Sequence, residues 1–192
     1  ERVYEINRNF RNEGLSTQHN PEFTMLELYW AYADYRDLMD LLERLMRGVA
    51  DATAGTRQVT YQGRSYDLEQ PFRRVTIEQA IIEHNPEIDP MSLRDVTYLR
   101  RCCERLGIAV CKHYGAGKLQ IAIFEQTAEH TYRDPTFVYA YPAEVSPLSA
   151  TCHTCWRLRW FMTSPSGRTR ISCLVSPPEA SATSRASPAA IR

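Results

Sequence analysis

The 192-residue sequence lacks the features that mark several common classes of protein. No apolar run approaches the ~20 residues that a helix needs to span a membrane, so we predict no membrane association. The formal net charge is zero, and the overall charge therefore gives no indication of a nucleic-acid partner. The length allows one domain, with room for an insertion.

The six cysteines come without a secretory signal, a combination that suits a reducing compartment, so we expect a cytoplasmic protein. Cys102 and Cys103 are predicted to lie on a helix as one core thiol and one surface thiol, not as a disulfide. Cys152 and Cys155 form a Cys-x-x-Cys pair, which can ligate zinc or cycle between redox states. No second such pair exists, so we predict no metal site. A small zinc-binding protein built on this segment remains an alternative.

Two stretches near the start alternate between apolar and polar residues, as half-buried β-strands do. They cover residues 3–11 and 23–33, with a polar loop over residues 14–21 between them, and this order predicts an antiparallel hairpin. One face would carry the odd-numbered residues of both strands if the register allows it. The predicted face then contains Arg11, Glu13, Glu27 and Tyr29.

The side chains of this predicted face suit a nucleotide and a cationic small molecule. Arginine can hold a phosphate with its planar fork of donors, and a carboxylate can accept hydrogen bonds from an ammonium group. Phe23, which has the same parity, would offer a stacking surface to a purine. The alternative is an ordinary amphipathic hairpin whose polar face meets only water.

Helical periodicity follows the hairpin. Asp34 is a predicted N-cap, and the apolar residues between Leu38 and Val49 predict a helix that covers the apolar back of the hairpin. Residues 59–68 indicate a small second hairpin. Residues 72–131 are predicted to be helical, and residues 137–141 are predicted to form a core strand.

Two short motifs fall inside the predicted helical region. Thr76 and Gln79 have the spacing of a capping box at a helix start. Residues 115–118, Gly-Ala-Gly-Lys, faintly resemble a phosphate-binding loop, but they lack its full spacing and its Lys-Ser/Thr ending, which favours a simple helix entry.

Residues 10–13, Phe-Arg-Asn-Glu, followed by residues 19–29, His-Asn-Pro-Glu-Phe-Thr-Met-Leu-Glu-Leu-Tyr, closely resemble motif 2 of class II lysyl-tRNA synthetases. The first string is shared by many class II synthetases. The second is narrower and is shared mainly with lysyl enzymes and with relatives that attach lysine to a protein. A weaker resemblance continues through residues 135–137 and 141–148, so that it covers residues 1–149. It implies an α+β fold: part of the antiparallel sheet of the synthetase core, with residues 72–131 as a helical insertion.

The resemblance implies that five of the matching residues bind ATP. Arg11 would be the catalytic residue, gripping the α-phosphate and offsetting charge as the lysine carboxylate attacks. Glu13 would accept a hydrogen bond from the adenine amino group, and Phe23 would stack on adenine. His19 and Asn20 would lie near the triphosphate.

The resemblance also implies a lysine site. Glu27 and Tyr29 would receive the ε-ammonium group, while Arg11 would contact the carboxylate side. A buried carboxylate facing an ammonium group gives sharp selectivity, because a substrate without the charge leaves the carboxylate unpaired.

The implied parent function is the charging of tRNA(Lys) with lysine at the expense of ATP, by an enzyme that uses Mg²⁺ and forms a homodimer. We expect the chain to be a fragment of the catalytic core from motif 2 onward, without the Mg²⁺ ligands and inactive alone. The helical insertion would lie near the acceptor end of the tRNA. The alternatives are a ligase that attaches lysine to a protein and a non-catalytic synthetase-like binding module.

The tail, residues 150–192, differs in composition from the rest of the chain. It contains six arginines, one acidic residue and no lysine, which gives it a net charge of +5 against −5 for residues 1–149. Such a segment, with no sustained hydrophobic period, cannot bury enough apolar area to offset its ordering entropy. We hypothesise that the tail is a low-complexity, disordered segment or an out-of-frame translation.

If the tail is translated out of frame, a one- or two-base shift near the codon for Ala150 restores an acidic, glycine-rich synthetase continuation. Resequencing the DNA on both sides of this codon tests the hypothesis. A DNA sequence in which neither shifted frame encodes such a continuation would refute it.

Overall fold

The computed structural model describes residues 1–12, 21–61, 63–145, 157–164 and 167–174, the last two ranges by their backbone only. Several predicted residues lie outside the described residues, and their predictions stay untested: Glu13, His19, Asn20, Cys152 and Cys155. None of the helices in the described ranges combines the length and apolar character that a bilayer crossing requires.

The described residues form a mixed helix and sheet structure, which confirms the predicted α+β class. The strands are β1 (Arg2–Phe10), β2 (Glu22–Trp30), β3 (Gln58–Tyr61), β4 (Arg64–Asp67), β5 (Arg73–Thr76), β6 (Thr136–Tyr139), β7 (Arg157–Ser164) and β8 (Gly167–Leu174). The helices are α1 (Tyr35–Ala54), α2 (Ile77–His84), α3 (Val96–Arg105) and α4 (Ala116–Thr127). β1 pairs with β2, β3 pairs with β4, and β5-β6-β7-β8 form one sheet in that order.

The first hairpin forms as predicted, with β1 and β2 antiparallel from Arg2 opposite Trp30 to Phe10 opposite Glu22. The second strand ends earlier than the alternation indicated. Tyr32 has a φ of 60°, a left-handed conformation that no strand continues through. The chain turns there and enters α1, whose N-cap Asp34 accepts hydrogen bonds from the backbone of Arg36 and Asp37.

Helix α1 does not cover the back of the first hairpin, so that prediction is wrong. Its buried residues pack instead in a cluster with residues that follow β4 and residues of β6: Met39, Leu42, Ala50, Leu68, Phe72 and Phe137. The apolar face of the hairpin stays exposed, with Tyr4 at 75%, Ile6 at 63% and Phe10 at 72% of full exposure. Periodicity identifies the buried face of a helix, but it does not identify the element that covers it.

The helical region contains one strand that the sequence did not indicate. β5 pairs in parallel with β6, and Val75 lies opposite Val138, both buried. α2 then begins at the predicted capping box, in which Thr76 and Gln79 each accept a hydrogen bond from the other's backbone N–H. α2, α3 and α4 pack around a second apolar cluster that includes Ile77, Leu99, Leu119, Ile123 and Phe124.

Cys102 and Cys103 both lie in this second cluster as free thiols, so the predicted surface thiol is in fact buried. Burial, assisted by its neighbour, raises the pKa of the Cys103 thiol and makes it less reactive. Gly107 follows the end of α3 with a φ of 68°, the left-handed conformation that is common just after a helix C-terminus.

The Gly-Ala-Gly-Lys segment is a helix entry, as the sequence favoured. The carboxylate of Glu144 accepts hydrogen bonds from the backbone N–H groups of Gly115 (3.0 Å), Gly117 (3.0 Å) and Lys118 (3.3 Å). The free donors at the start of α4 are thereby satisfied by a side chain of the segment that follows β6. The donors that a phosphate would need are already occupied.

The backbone of residues 157–164 and 167–174 forms β7 and β8, an antiparallel pair that extends the sheet from β6. This backbone arrangement leaves the prediction of a low-complexity, disordered tail over residues 150–192 untested. It does not bear on the reading frame, and the out-of-frame hypothesis stays a prediction.

We expect Gly117→Ala to destabilise the protein by about 1–3 kcal/mol, because an added Cβ would lie 2.7 Å from the Cβ of Pro142 and 3.0 Å from that of Glu144. Gly48→Ala is the matched control, since the Cβ there meets nothing within 4 Å and should stabilise α1 by about 0.5–1 kcal/mol. Urea unfolding of both variants measures the difference. Equal effects of the two substitutions would contradict the packing of Gly117 against Pro142.

Candidate functional site

The register of the first hairpin brings the predicted site residues to one face. Residues directly opposite each other in an antiparallel pair project to the same side of the sheet. Glu5 lies opposite Glu27, Val3 opposite Tyr29, and Asn9 opposite Phe23. The Arg11 N–H donates to the Pro21 carbonyl at 2.9 Å and extends the pairing by one step.

Arg11, Phe23, Glu27 and Tyr29 therefore share one face, which we call the odd face because its residues have odd numbers. The predicted common face is confirmed for these residues, while Glu13, His19 and Asn20 lie outside the described part of the chain. The other side, the even face, carries Tyr4, Ile6, Phe10, Leu26 and the ion pair between Arg8 and Glu22.

One end of the odd face is cationic. The guanidinium carbon of Arg11 lies 5.3 Å from the centroid of the Phe23 ring, within the range of a cation–π contact. Arg11 is exposed and Phe23 is half-buried, so the planar fork of donors is held over an aromatic surface at the edge of the sheet. This arrangement can present a fixed positive charge to an anionic group such as a phosphate.

The other end of the odd face is anionic. The Tyr29 hydroxyl donates to Oε2 of the half-buried Glu27 at 3.4 Å. The charge of Glu27 raises the pKa of Tyr29, with further contributions from burial, from this hydrogen bond and from the charge of Glu5. The phenol therefore stays protonated over the physiological range and remains a donor that orients the carboxylate.

The two ends are separated along the strands. Glu27 lies four positions after Phe23, which Arg11 covers, along β2, and this separation corresponds to about 13 Å at the usual strand rise. The odd face can therefore receive an extended molecule with an anionic group at one end and a cationic group at the other.

Glu5 belongs to this arrangement and was not among the predicted site residues. It lies directly opposite Glu27, on the same face. The alternation in the sequence shows which face of β1 carries Glu5. Only the register shows that the two carboxylates are neighbours, because the register depends on how the two strands pair.

The described part of the chain contains no cluster of side chains suited to a metal ion. Among its residues there is no group of three or more His, Cys, Asp or Glu side chains that could hold one. The pair of Glu5 and Glu27 is a two-carboxylate arrangement, smaller than the ligand sets of tightly bound divalent ions.

The first hairpin has a guanidinium at one end of its odd face and carboxylates at the other. Comparison with known protein families agrees with this arrangement. Residues 1–156 match the family described as tRNA synthetases class II (D, K and N). The match covers most of the chain, so the chain belongs to this family, and the resemblance noted from motif 2 is confirmed.

Similar proteins carry the name lysine–tRNA ligase. The protein of Thioalkalivibrio sulfidiphilus is 56% identical over 149 residues, that of Chromohalobacter salexigens is 57% identical over 149, and that of Xanthomonas oryzae pv. oryzae is 54% identical over 154. The aligned part covers 78–80% of this chain but 30% of each relative. The chain thus spans less than a third of the length of the curated relatives that it matches.

We expect Glu27→Gln to lower the pKa of Tyr29 toward its ordinary value, because the nearby negative charge that opposes the phenolate is removed. NMR titration of ¹³Cζ-labelled tyrosines, with the Tyr29 signal assigned through Tyr29→Phe, measures this shift. Glu22→Gln is the matched control, since Glu22 faces the opposite side of the sheet. A Tyr29 pKa that is unchanged in Glu27→Gln would contradict the described contact.

Proposed function

We propose that the protein to which this chain belongs is a lysine–tRNA ligase, which activates lysine with ATP and transfers it to tRNA. The observation that carries the proposal is the family match together with 54–57% identity to proteins of that name. The charge distribution of the odd face supports it, because lysine carries a carboxylate at one end and an ammonium group at the other.

The proposed reaction has two steps. A carboxylate oxygen of lysine attacks the α-phosphorus of ATP, a new oxygen–phosphorus bond forms, and pyrophosphate leaves. A hydroxyl of the terminal ribose of tRNA then attacks the lysyl carbonyl, and AMP leaves. No covalent bond to the protein is needed, so the contribution of the protein is to position the reactants and stabilise charge.

Arg11 is the residue that we assign to the reacting centre. Its guanidinium would contact the α-phosphate and the lysine carboxylate, and it would offset the charge that builds up as these two anions approach. Phe23, already under the guanidinium at 5.3 Å, would offer the other part of its ring to adenine. Glu13, His19 and Asn20 are proposed as further ATP contacts, by resemblance alone.

Glu27 and Tyr29 are the residues that we assign to the lysine side chain. The ammonium group would replace solvent at the Glu27 carboxylate, which Tyr29 already orients through its hydroxyl. An uncharged analogue would leave that carboxylate without a partner, and this loss is the physical basis of selectivity.

Mg²⁺, which the family relationship implies, finds no cluster of ligands among the described residues, so no step above is routed through it. We expect its ligands in the remaining part of the protein, together with any homodimer contacts. We expect the enzyme to act in the cytoplasm, where translation takes place. The three free cysteines of the described residues agree with a reducing compartment of this kind.

We expect Glu27→Gln, made in a complete lysine–tRNA ligase that carries this segment, to raise the KM for lysine about tenfold to a hundredfold. The reason is the loss of a hydrogen bond between charged groups, worth about 1.5–3 kcal/mol. Lysine-dependent exchange of pyrophosphate into ATP measures KM and kcat separately.

Glu22→Gln should leave the exchange kinetics unchanged, since Glu22 lies on the even face. A KM for lysine that is the same in Glu27→Gln as in the unmodified enzyme would contradict the proposed role. Exchange driven equally well by arginine or norleucine in the unmodified enzyme would contradict the proposed substrate.

A further inference from the structure

Two carboxylates face each other across the first hairpin. Glu5 lies directly opposite Glu27, and both side chains project to the odd face. Like charges in directly opposite positions of an antiparallel pair destabilise the sheet, and a cationic partner between them would offset that cost.

The arginines of the hairpin do not supply that partner. Arg2 lies over the Trp30 ring at 3.8 Å, Arg8 pairs with Glu22 at 3.8 Å on the even face, and Arg11 lies over Phe23. Among the ion pairs of the described residues, none involves Glu5 or Glu27.

The negative charges of Glu5 and Glu27 nevertheless act on the same group, the hydroxyl of Tyr29. Both carboxylates raise the pKa of Tyr29, whose hydroxyl is already bonded to Glu27. A cation placed at Glu27 would therefore also be attracted by Glu5. A primary ammonium group has three donors, of which Glu27 alone can satisfy only some.

We propose that Glu5 is a second specificity-determining carboxylate of the lysine site, which receives the ε-ammonium group together with Glu27. This inference rests on the proposed function. Two negative charges around one ammonium group strengthen discrimination against uncharged side chains.

The test titrates L-lysine into the 192-residue chain labelled with ¹³Cζ-tyrosine, follows the Tyr29 signal, and repeats the titration with L-norleucine, which lacks the ammonium group. We expect Glu5→Gln to weaken lysine binding about tenfold, the lower end of the effect of a charged hydrogen bond, and to leave norleucine binding unchanged. Glu5→Asp should keep the preference for lysine, because it keeps the charge.

Glu22→Gln is the control of equal charge change on the opposite face, and it should bind lysine as the unmodified chain does. Equal lysine affinity in Glu5→Gln and the unmodified chain would overturn the role of Glu5 while leaving the proposed function intact. Equal weakening of lysine and norleucine by Glu5→Gln would show a structural role and overturn the inference. If the Tyr29 signal of the unmodified chain does not change on addition of lysine, the proposed lysine site is contradicted, and this inference is contradicted with it.

Discussion

The antiparallel register of β1 and β2 is the constraint on which the candidate site depends. Side chains alternate between the two faces of a strand, so a slip by one residue would move Glu27 relative to Glu5 and separate Arg11 from Phe23. In the observed register, the guanidinium, the aromatic ring and the carboxylates project together. The proposed binding of a ligand requires several of these side chains at once, and it therefore depends on the register that brings them to one face.

The hairpin receives little support from the two apolar clusters of the chain. Neither cluster contains a residue of β1 or β2, and the even face of the hairpin is largely exposed. The register is therefore maintained chiefly by the ladder of backbone hydrogen bonds and by cross-strand contacts such as the ion pair of Arg8 with Glu22. An exposed ion pair of this kind contributes only about 0–1 kcal/mol. The apolar residues of the even face are a surface that further structure would stabilise by covering.

The sequence predicted the features that depend on neighbouring residues. Asp34 and the pair of Thr76 with Gln79 cap helices because a cap needs only residues within one turn. The alternation of β1 and β2 gave the parity of Arg11 and Glu27 for the same reason. The motif resemblance added the expected ligands, which parity alone does not give.

The features that the sequence did not predict all depend on distant partners. β5 is four residues long, too short to show a period, and its partner β6 follows only after α2, α3 and α4. The surface that α1 covers was assigned to the wrong element because several apolar surfaces were available to it. Glu5 was overlooked because its neighbour Glu27 lies in another strand. Each of these errors concerns which elements meet, and local patterns carry no information about that.

The distribution of stability has a consequence for ligand binding. The helical part is connected internally: Glu144, which follows β6, holds the start of α4, and α4 packs in the same cluster as α2 and α3. The hairpin lies outside that network, and segments with few buried contacts open at lower free energy than packed cores do. A ligand that bridges Arg11 at one end and Glu27 at the other would bind only the paired hairpin. Its binding free energy would therefore also stabilise the register from which the site is built.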